Sequence, residues 1–405
     1  MKKIMLKLVA AVMLLSFFVP SLFTAVHAEE EAEQTVSILV PGYDTGYLRE
    51  ELDAGIKAFE EAEGIKVEVI PVGWDELNSR IVQLVNGGQA PDIMLIGTRS
   101  LRQFRDEGII RDLDEFITPE FIEPRVESVY HTATIDGKQY GIPMAFSSRA
   151  LIYRTDLIET PPTNWDELLE VAEKVKEEHD IYGFYLPIDG PGTSIELMNF
   201  FYQNDGFPVS ESGEFQLNTP EIVETAEYLK QFVDKDLVPS PLESERNDQI
   251  KMFVNGDLAM FVTGPWDQEA LEEHKEEYPY AVAPLPEGKH PGVNIATDSY
   301  VITQGAKNPE GAWKFIEFMG QEEFQRPVSE AFNWFPILKA EEADERFQTD
   351  FMKPFLETIA FGYPDPHTPN WDEFNRAFVQ ALQETLLGEK EGQTAFDEAQ
   401  KEVAE

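Results

Sequence analysis

His27, His131, His179, His274, His290 and His367 are scattered so widely that no two fall at the spacing of zinc ligands, and the chain has no cysteine. Disulfides, thiolate metal sites, cysteine nucleophiles and thioether-linked lipid anchors are therefore excluded together. The G-x-S-x-G elbow, the P-loop and the EF-hand loop are also missing. Carboxylates remain as a route to catalysis, because a glycosidase needs only two of them about 5–10 Å apart. The chain carries 76 acids, and no spacing pairs any two of them. More telling are flat aromatic side chains in loops. Trp266 follows Gly264-Pro265, Trp334 sits in Asn333-Trp334-Phe335-Pro336, and Trp74 precedes Asp75. Trp165, Trp313 and Trp371 fall at helix starts or on helical stripes, where core packing is the better reading.

The elements that must position these loops alternate. Val36 to Val40 reads as a strand, and Leu48, Leu52, Ile56 and Phe59 recur at helical spacing. Ile65, Val67 and Val69 form a second strand, Leu77, Ile81, Leu84 and Val85 a second helix, and Ile93 to Ile96 a buried strand. This order predicts an α/β, doubly wound parallel sheet whose ligands bind at the loops leaving the carboxyl ends of the strands. Tyr43 and Asp44 lie in the first such loop, Trp74 in the second, and Gly97, Thr98 and Arg99 in the third. A further set of elements begins at the strand Ala150 to Tyr153. It continues with a helix from Trp165, a strand from Tyr182 to Leu186, helices near Ile195 and Pro220, and a strand from Leu258 to Val262. From Pro309 onward the pattern is almost entirely helical.

Composition fits two domains, since 405 residues exceed the ~100–200 of one. With 42% hydrophobic and 12% aromatic residues the chain folds, although its formal charge is −44. Such acidity repels phosphate backbones and anionic lipid, which excludes nucleic-acid binding. Lys2, Lys3 and Lys7 precede an apolar run from Leu8 to Val19, and Val26-His27-Ala28 offers a cleavage site. This is the pattern of a secretory signal, residues 1–28, and losing its three lysines takes the mature chain to −47.

Several local signatures occur in order: Ala90-Pro91-Asp92-Ile93; Asp136-Gly137-Lys138-Gln139-Tyr140-Gly141-Ile142-Pro143; Ala150-Leu151-Ile152-Tyr153-Arg154-Thr155-Asp156-Leu157; Met252-Phe253-Val254-Asn255-Gly256-Asp257, leading to Gly264-Pro265-Trp266; and Asn308-Pro309-Glu310-Gly311-Ala312-Trp313. Together they resemble the family 1 extracellular solute-binding proteins of sugar ABC transporters, the class of maltose- and maltodextrin-binding proteins. The resemblance spans essentially the whole mature chain. It implies a two-lobe periplasmic-binding-protein fold of type II with the ligand in the cleft between lobes. It also implies an N-terminal lobe of residues 29–143 with 287–319 and a C-terminal lobe of 144–286 with 320–405. The chain would cross between them near Pro143, at Pro284-Leu285-Pro286, and near Met319-Gly320.

The resemblance implies a receptor without catalysis, metal or cofactor. Its partners would be a carbohydrate and the membrane permease subunits of an ABC importer, and it would act as a monomer. A pyranose has an apolar C–H face and a belt of hydroxyls, so its site needs aromatics beside carboxylates or amides. In the resembling family the tryptophan of the Gly-Pro-Trp motif stacks on sugar; Trp266 is thus either a ligand contact or an inter-lobe packing residue. Maltose-binding relatives place a charged pair where this chain has Gly97-Thr98-Arg99-Ser100, with no acid. Maltodextrin-type relatives have a glutamate where Phe146 and Ser147 stand. Asp189, Asp298 and Tyr300 remain as hydroxyl partners, or as ordinary loop residues. Two other readings stay open: the same fold with a non-sugar cargo such as glycerol phosphate or a polyamine, and a secreted carbohydrate-active enzyme. Absence of cysteine points to a freely soluble periplasmic protein, with release to the medium as the alternative.

Overall fold

The computed structural model describes residues 34–45, 48–188, 193–210, 213–240 and 244–404. The expected export segment, residues 1–28, and the candidate Asp189 lie outside the described residues. In the first lobe, Ile38 and Val40 of β1 (Thr35–Pro41) face one core and Leu39 the other, because side chains of a strand alternate. Helix α1 (Arg49–Glu63) buries Leu52 and Phe59 and stops at Gly64, whose φ of 67° is left-handed. It is followed by β2 (Lys66–Val72), α2 (Leu77–Asn86), β3 (Ile93–Gly97) and α3 (Leu101–Asp106). Both β2 and β3 run parallel to β1. The Asp92 carboxylate accepts from the backbone N–H and hydroxyl of Ser37, both at 2.8 Å, and from the N–H groups of Lys307 and Asn308 at 2.6 and 2.9 Å. One buried acid thus ties β1 to the start of a helix more than two hundred residues away in sequence.

Two short helices, α4 (Pro119–Ile122) and α5 (Glu127–Tyr130), and the hairpin of β4 (Thr134–Ile135) and β5 (Lys138–Gln139) lead into β6 (Ile142–Ser147). The second lobe opens with β7 (Ala150–Arg154) and then α6 (Trp165–His179), α7 (Thr193–Gln203), α8 (Pro220–Asp234) and α9 (Asp248–Val254). After β8 (Met260–Thr263) come α10 (Gln268–Glu273) and β9 (Tyr280–Ala283). Strands β8 and β9 flank β7, both antiparallel to it. Leu151 and Tyr153 face a core with Leu168, Phe201 and Leu229, while Ala150 and Ile152 face Phe261, Phe335 and Phe355. The expected strand from Tyr182 to Leu186 does not form. Tyr182 makes only an isolated parallel bridge beside Leu258, donating to Asp257 O and accepting from Ala259 N–H, and the N–H groups of Gly183 and Phe184 both turn to Leu237 O.

Strand β10 (Val293–Ile302) returns to the first lobe and runs antiparallel to β3 and to β6. Helices α11 (Pro309–Met319), α12 (Glu322–Ala331) and α13 (Lys353–Ile359) follow, then β11 (Gly362–Pro364), α14 (Trp371–Leu386) and α15 (Gly392–Val403). Core membership locates the crossings. Along β6, Ile142 to Ala145 pack in the first lobe, whereas Phe146 packs on second-lobe clusters. Along β10, Val293 and Ile295 pack in the second-lobe core with Leu285, and Tyr300 packs in the first. The α12 residue Val328 and then Trp334 pack with Leu52 and Phe59 of α1, and Phe335 is the first to join the second lobe.

Candidate functional site

Between the lobes lies an inner chamber of about 360 Å³, built by strand ends from both sides. The first lobe contributes Gly42 after β1, Trp74 after β2 and Arg99 after β3; β10 contributes Ala296 and Asp298, and the β6 crossing Ser147 and Arg149. The second lobe contributes Ile195, Arg246, Asn247, Trp266 and Asp267, with Trp334 at the third crossing. An outer chamber of about 710 Å³ shares Trp74, Arg99, Ile195 and Arg246 with the inner one. It extends along α14 past Trp371, Asn375 and Gln380 and along α2 past Asn78.

A buried ion pair holds the aromatic wall. Glu196 of α7 receives Arg149 Nε at 2.7 Å and Nη2 at 3.0 Å, and both side chains are almost wholly buried. Burial alone would raise the Glu196 carboxyl, but the charge and hydrogen bonds of Arg149, with Arg246 adding to them, hold it below its usual value. The Arg149 guanidinium in turn lies 4.7 Å from the Trp266 ring centroid, a cation–π contact that orients the indole. Gly264 is needed here, because a Cβ on it would collide with the Trp266 ring. Asn333, at a left-handed φ of 52°, donates through Nδ2 to Gln268 Oε1 at 2.9 Å and so fastens the turn carrying Trp334 beside α10.

Two carboxyls border the inner chamber in an unusual state. Burial pushes Asp298 up to about 6; Arg99 opposes that shift and Asp365 reinforces it. Burial likewise pushes Asp267 up to about 6 against the Thr263 hydroxyl, which donates to its Oδ2 at 2.6 Å. The Asp298 side chain makes no hydrogen bond among the described residues and faces the chamber as an open acceptor. Such a wall stacks on an apolar ring face with its indoles and takes up hydroxyls with its acids. No group of metal-ligating side chains occurs among the described residues.

Among the sequence candidates, Trp74, Arg99, Ser147, Trp266, Asp298 and Trp334 are brought together around this chamber. Gly97 and Thr98 lie beneath it. Gly97 leaves room for the Arg99 guanidinium to fold back, and the Thr98 hydroxyl lies 3.1 Å from that of Ser299. Tyr43 is outside the chamber, donating its hydroxyl to Asp53 at 2.5 Å beneath Arg49, and Asp44 is exposed. Phe146 packs edge-on to Phe335. Tyr300, two residues beyond Asp298, is already inside the first-lobe core against Phe315.

A family model described as bacterial extracellular solute-binding protein matches residues 54–353. The chain belongs to this family. Its two-lobe architecture also matches solved structures. A substrate-binding protein from Listeria monocytogenes in complex with cycloalternan superposes with a TM-score of 0.81 at 21% identity, covering 92% of this chain and 98% of that one. A Thermotoga lettingae solute-binding protein bound with alpha-D-tagatose gives 0.82 at 23% identity, covering 91% and 98%. These likenesses are of fold. Among curated proteins, a putative binding protein of Brucella abortus is 29% identical over 398 residues, 94% of each chain. The maltotriose-binding protein of Pyrococcus abyssi is 24% identical over 335 residues, 80% of this chain and 72% of that one.

In this solute-binding protein, sequence reasoning missed Arg149, Arg246, Asp267 and Ile195. Asp267 follows Trp266 directly, so its neighbour was a usable signal. Arg246 stands in an acidic polar stretch where a cation reads as solvated. Trp371, assigned to the core, is both a core residue and a wall of the outer chamber.

Proposed function

We propose that this protein is a carbohydrate receptor that encloses its ligand between the lobes and hands it to the membrane subunits of an ABC importer. The observation that carries the reading is the convergence of the part-exposed Trp74 and Trp266 on one inter-lobe chamber with Asp267 and Asp298, above the buried Trp334. Curated relatives bear names such as maltodextrin-binding and galactooligosaccharide-binding protein of Bacillus subtilis, which supports a saccharide cargo. The receptor works as a monomer and carries out no reaction. It is exported by a signal cleaved after Ala28 and, lacking cysteine, is free in the periplasm without a lipid anchor. No described helix is long and apolar enough to cross a membrane.

The lobes that move are residues 34–145 with 298–334 and residues 146–297 with 335–404, except that Ile337 to Lys339 stay paired with residues 124–126 and Val129 of the first lobe, and the crossing strands take up the rotation. A ligand touched from both sides favours the closed form by its differential affinity. Calorimetric titration of the exported protein against mono- and oligosaccharides tests the reading. Stoichiometric binding with unaltered sugar on chromatography supports it. Turnover, or no saccharide bound, overturns it.

A further inference from the structure

The two chambers share Trp74, Arg99, Ile195 and Arg246, a common border or neck, and charge is distributed unevenly about it. Arg99 and Arg246 border both chambers, whereas Asp267 and Asp298 border only the inner one. Neither guanidinium makes a hydrogen bond within the protein among the described residues. Arg99 Nη1 is 3.6 Å from Asp365 Oδ2, and Arg246 Nη1 is 3.6 Å from Glu196 Oε1. Glu196 takes the double bond from Arg149; Asp365 Oδ1 accepts from Asn294 at 3.0 Å, while its buried Oδ2 has no hydrogen bond among the described residues and faces Arg99 alone. Of the two outer acids, Asp75 and Asp372, the second is engaged by Asn78 at 2.7 Å and Gln103 at 3.1 Å. The two arginines are thus balanced at a distance while their N–H donors stay unfilled.

A guanidinium presents a planar fork of donors that matches the paired oxygens of a carboxylate, sulfate or phosphate, and two forks at one place grip such a group strongly. Single hydroxyls use those donors one at a time. This is also an unexpected investment of cations in a chain with only 32 lysines and arginines against 76 acids. We propose that the cleft selects a saccharide bearing an oxyanion, with Arg99 and Arg246 holding that group at the neck. The sugar ring lies against Trp74 and Trp266, and its hydroxyls reach Asp267 and Asp298. The inference rests on the carbohydrate reading above and names the ligand class within it.

The test pairs neutral sugars with charged counterparts: galactose with galacturonate, glucose with glucuronate and glucose 6-phosphate, and N-acetylglucosamine with its 6-sulfate. Titrations use the wild type, Arg246→Met, Arg246→Lys and Arg99→Met. Thermal shifts in inorganic sulfate against sodium chloride of equal ionic strength, and with glycerol 3-phosphate, complete the set. The charged member of at least one pair should bind about tenfold tighter or more, and Arg246→Met should abolish that advantage. Arg246→Lys should restore part of it, and sulfate should raise the melting temperature of the wild type more than that of either methionine variant. Neutral sugars binding as tightly as their charged partners would overturn the inference and leave the carbohydrate reading intact. Arginine-dependent stabilisation by sulfate or glycerol phosphate without binding of any sugar would instead overturn the carbohydrate reading while the arginine pair stands. Neither sugar binding nor an arginine-dependent sulfate effect would overturn both.

Discussion

Replacing Glu196 by alanine strips the Arg149 guanidinium of its counter-ion at a place where both side chains are 2–3% exposed. Two hydrogen bonds of 2.7 and 3.0 Å disappear, and the charge left behind is reached by no other carboxylate oxygen within 4 Å among the described residues. Breaking a buried pair from one side costs about 3–5 kcal/mol. The unfolding entropy of a chain this long, near 2 cal/mol/K per residue, is roughly 0.8 kcal/mol/K, so the melting temperature should fall by about 4–6 °C if the molecule unfolds as one unit. The fall is larger if the second lobe unfolds alone. Removing both charges with Arg149→Met and Glu196→Leu should recover most of the loss, because an apolar pair of similar volume is close to neutral. The Glu196 carboxyl is held below its usual 4.5, so the pair's contribution is complete above that pH and is lost as pH falls through the depressed value. The gap between wild type and Glu196→Ala should therefore shrink in acid. Scanning calorimetry at pH 7 and below pH 4 measures this, and a single variant melting within a degree of wild type at pH 7 would refute the reasoning.

Trp266→Ala should weaken saccharide binding by about five- to two-hundred-fold, equivalent to ~1–3 kcal/mol of ring contact. Its melting temperature should change little, because the indole is half-buried at the chamber wall; calorimetric titration beside a melting curve checks both. Asp298, pushed up to about 6 by burial, favours the unliganded fold while protonated and opposes it as pH rises through 6, so Asp298→Asn should melt higher than wild type at pH 7.5 and show a flatter stability profile from pH 4 to 6. If its carboxylate accepts sugar hydroxyls, wild-type affinity should fall below pH 6, and the variant should bind more weakly with little pH dependence in titration. Asp372→Ala removes the hydrogen bonds from Asn78 of α2 and Gln103 of α3 to α14, contacts that span the lobes. At about 0.5–1.5 kcal/mol each, their loss should weaken binding roughly five- to two-hundred-fold, mostly through faster dissociation, with a larger radius of gyration in small-angle scattering.

How far the site was readable before the structure depended on whether a residue's role is local. The parallel sheet of the first lobe was legible because both its faces are covered, giving β1 and β3 near-continuous apolar runs separated by amphipathic helices. One motif was legible for a similar reason: Asn308 acts on neighbouring backbone, capping α11 through Gly311 N–H at 2.9 Å, whereas the bonds of Asp92 to Ser37, Lys307 and Asn308 are long-range. Roles decided by distant partners were not legible. Tyr182 to Leu186 has the composition of a strand, yet its partners are the loops at Leu237 and Asp257. Tyr300 shares β10 with Asp298, and only the point where that strand leaves the cleft separates a core residue from a site residue. Arg246 shows the limit most clearly. Its sequence neighbours are polar and acidic, and nothing there distinguishes a solvated cation from one lining a cavity. What makes it functional is that the nearest acid, Glu196, already serves Arg149, and that Arg99 approaches the same neck from the other lobe. Those facts involve residues about 50, 100 and 150 positions away in the chain. The property that selects a ligand here is an unfilled set of donors, and a sequence shows donors without showing whether they are filled.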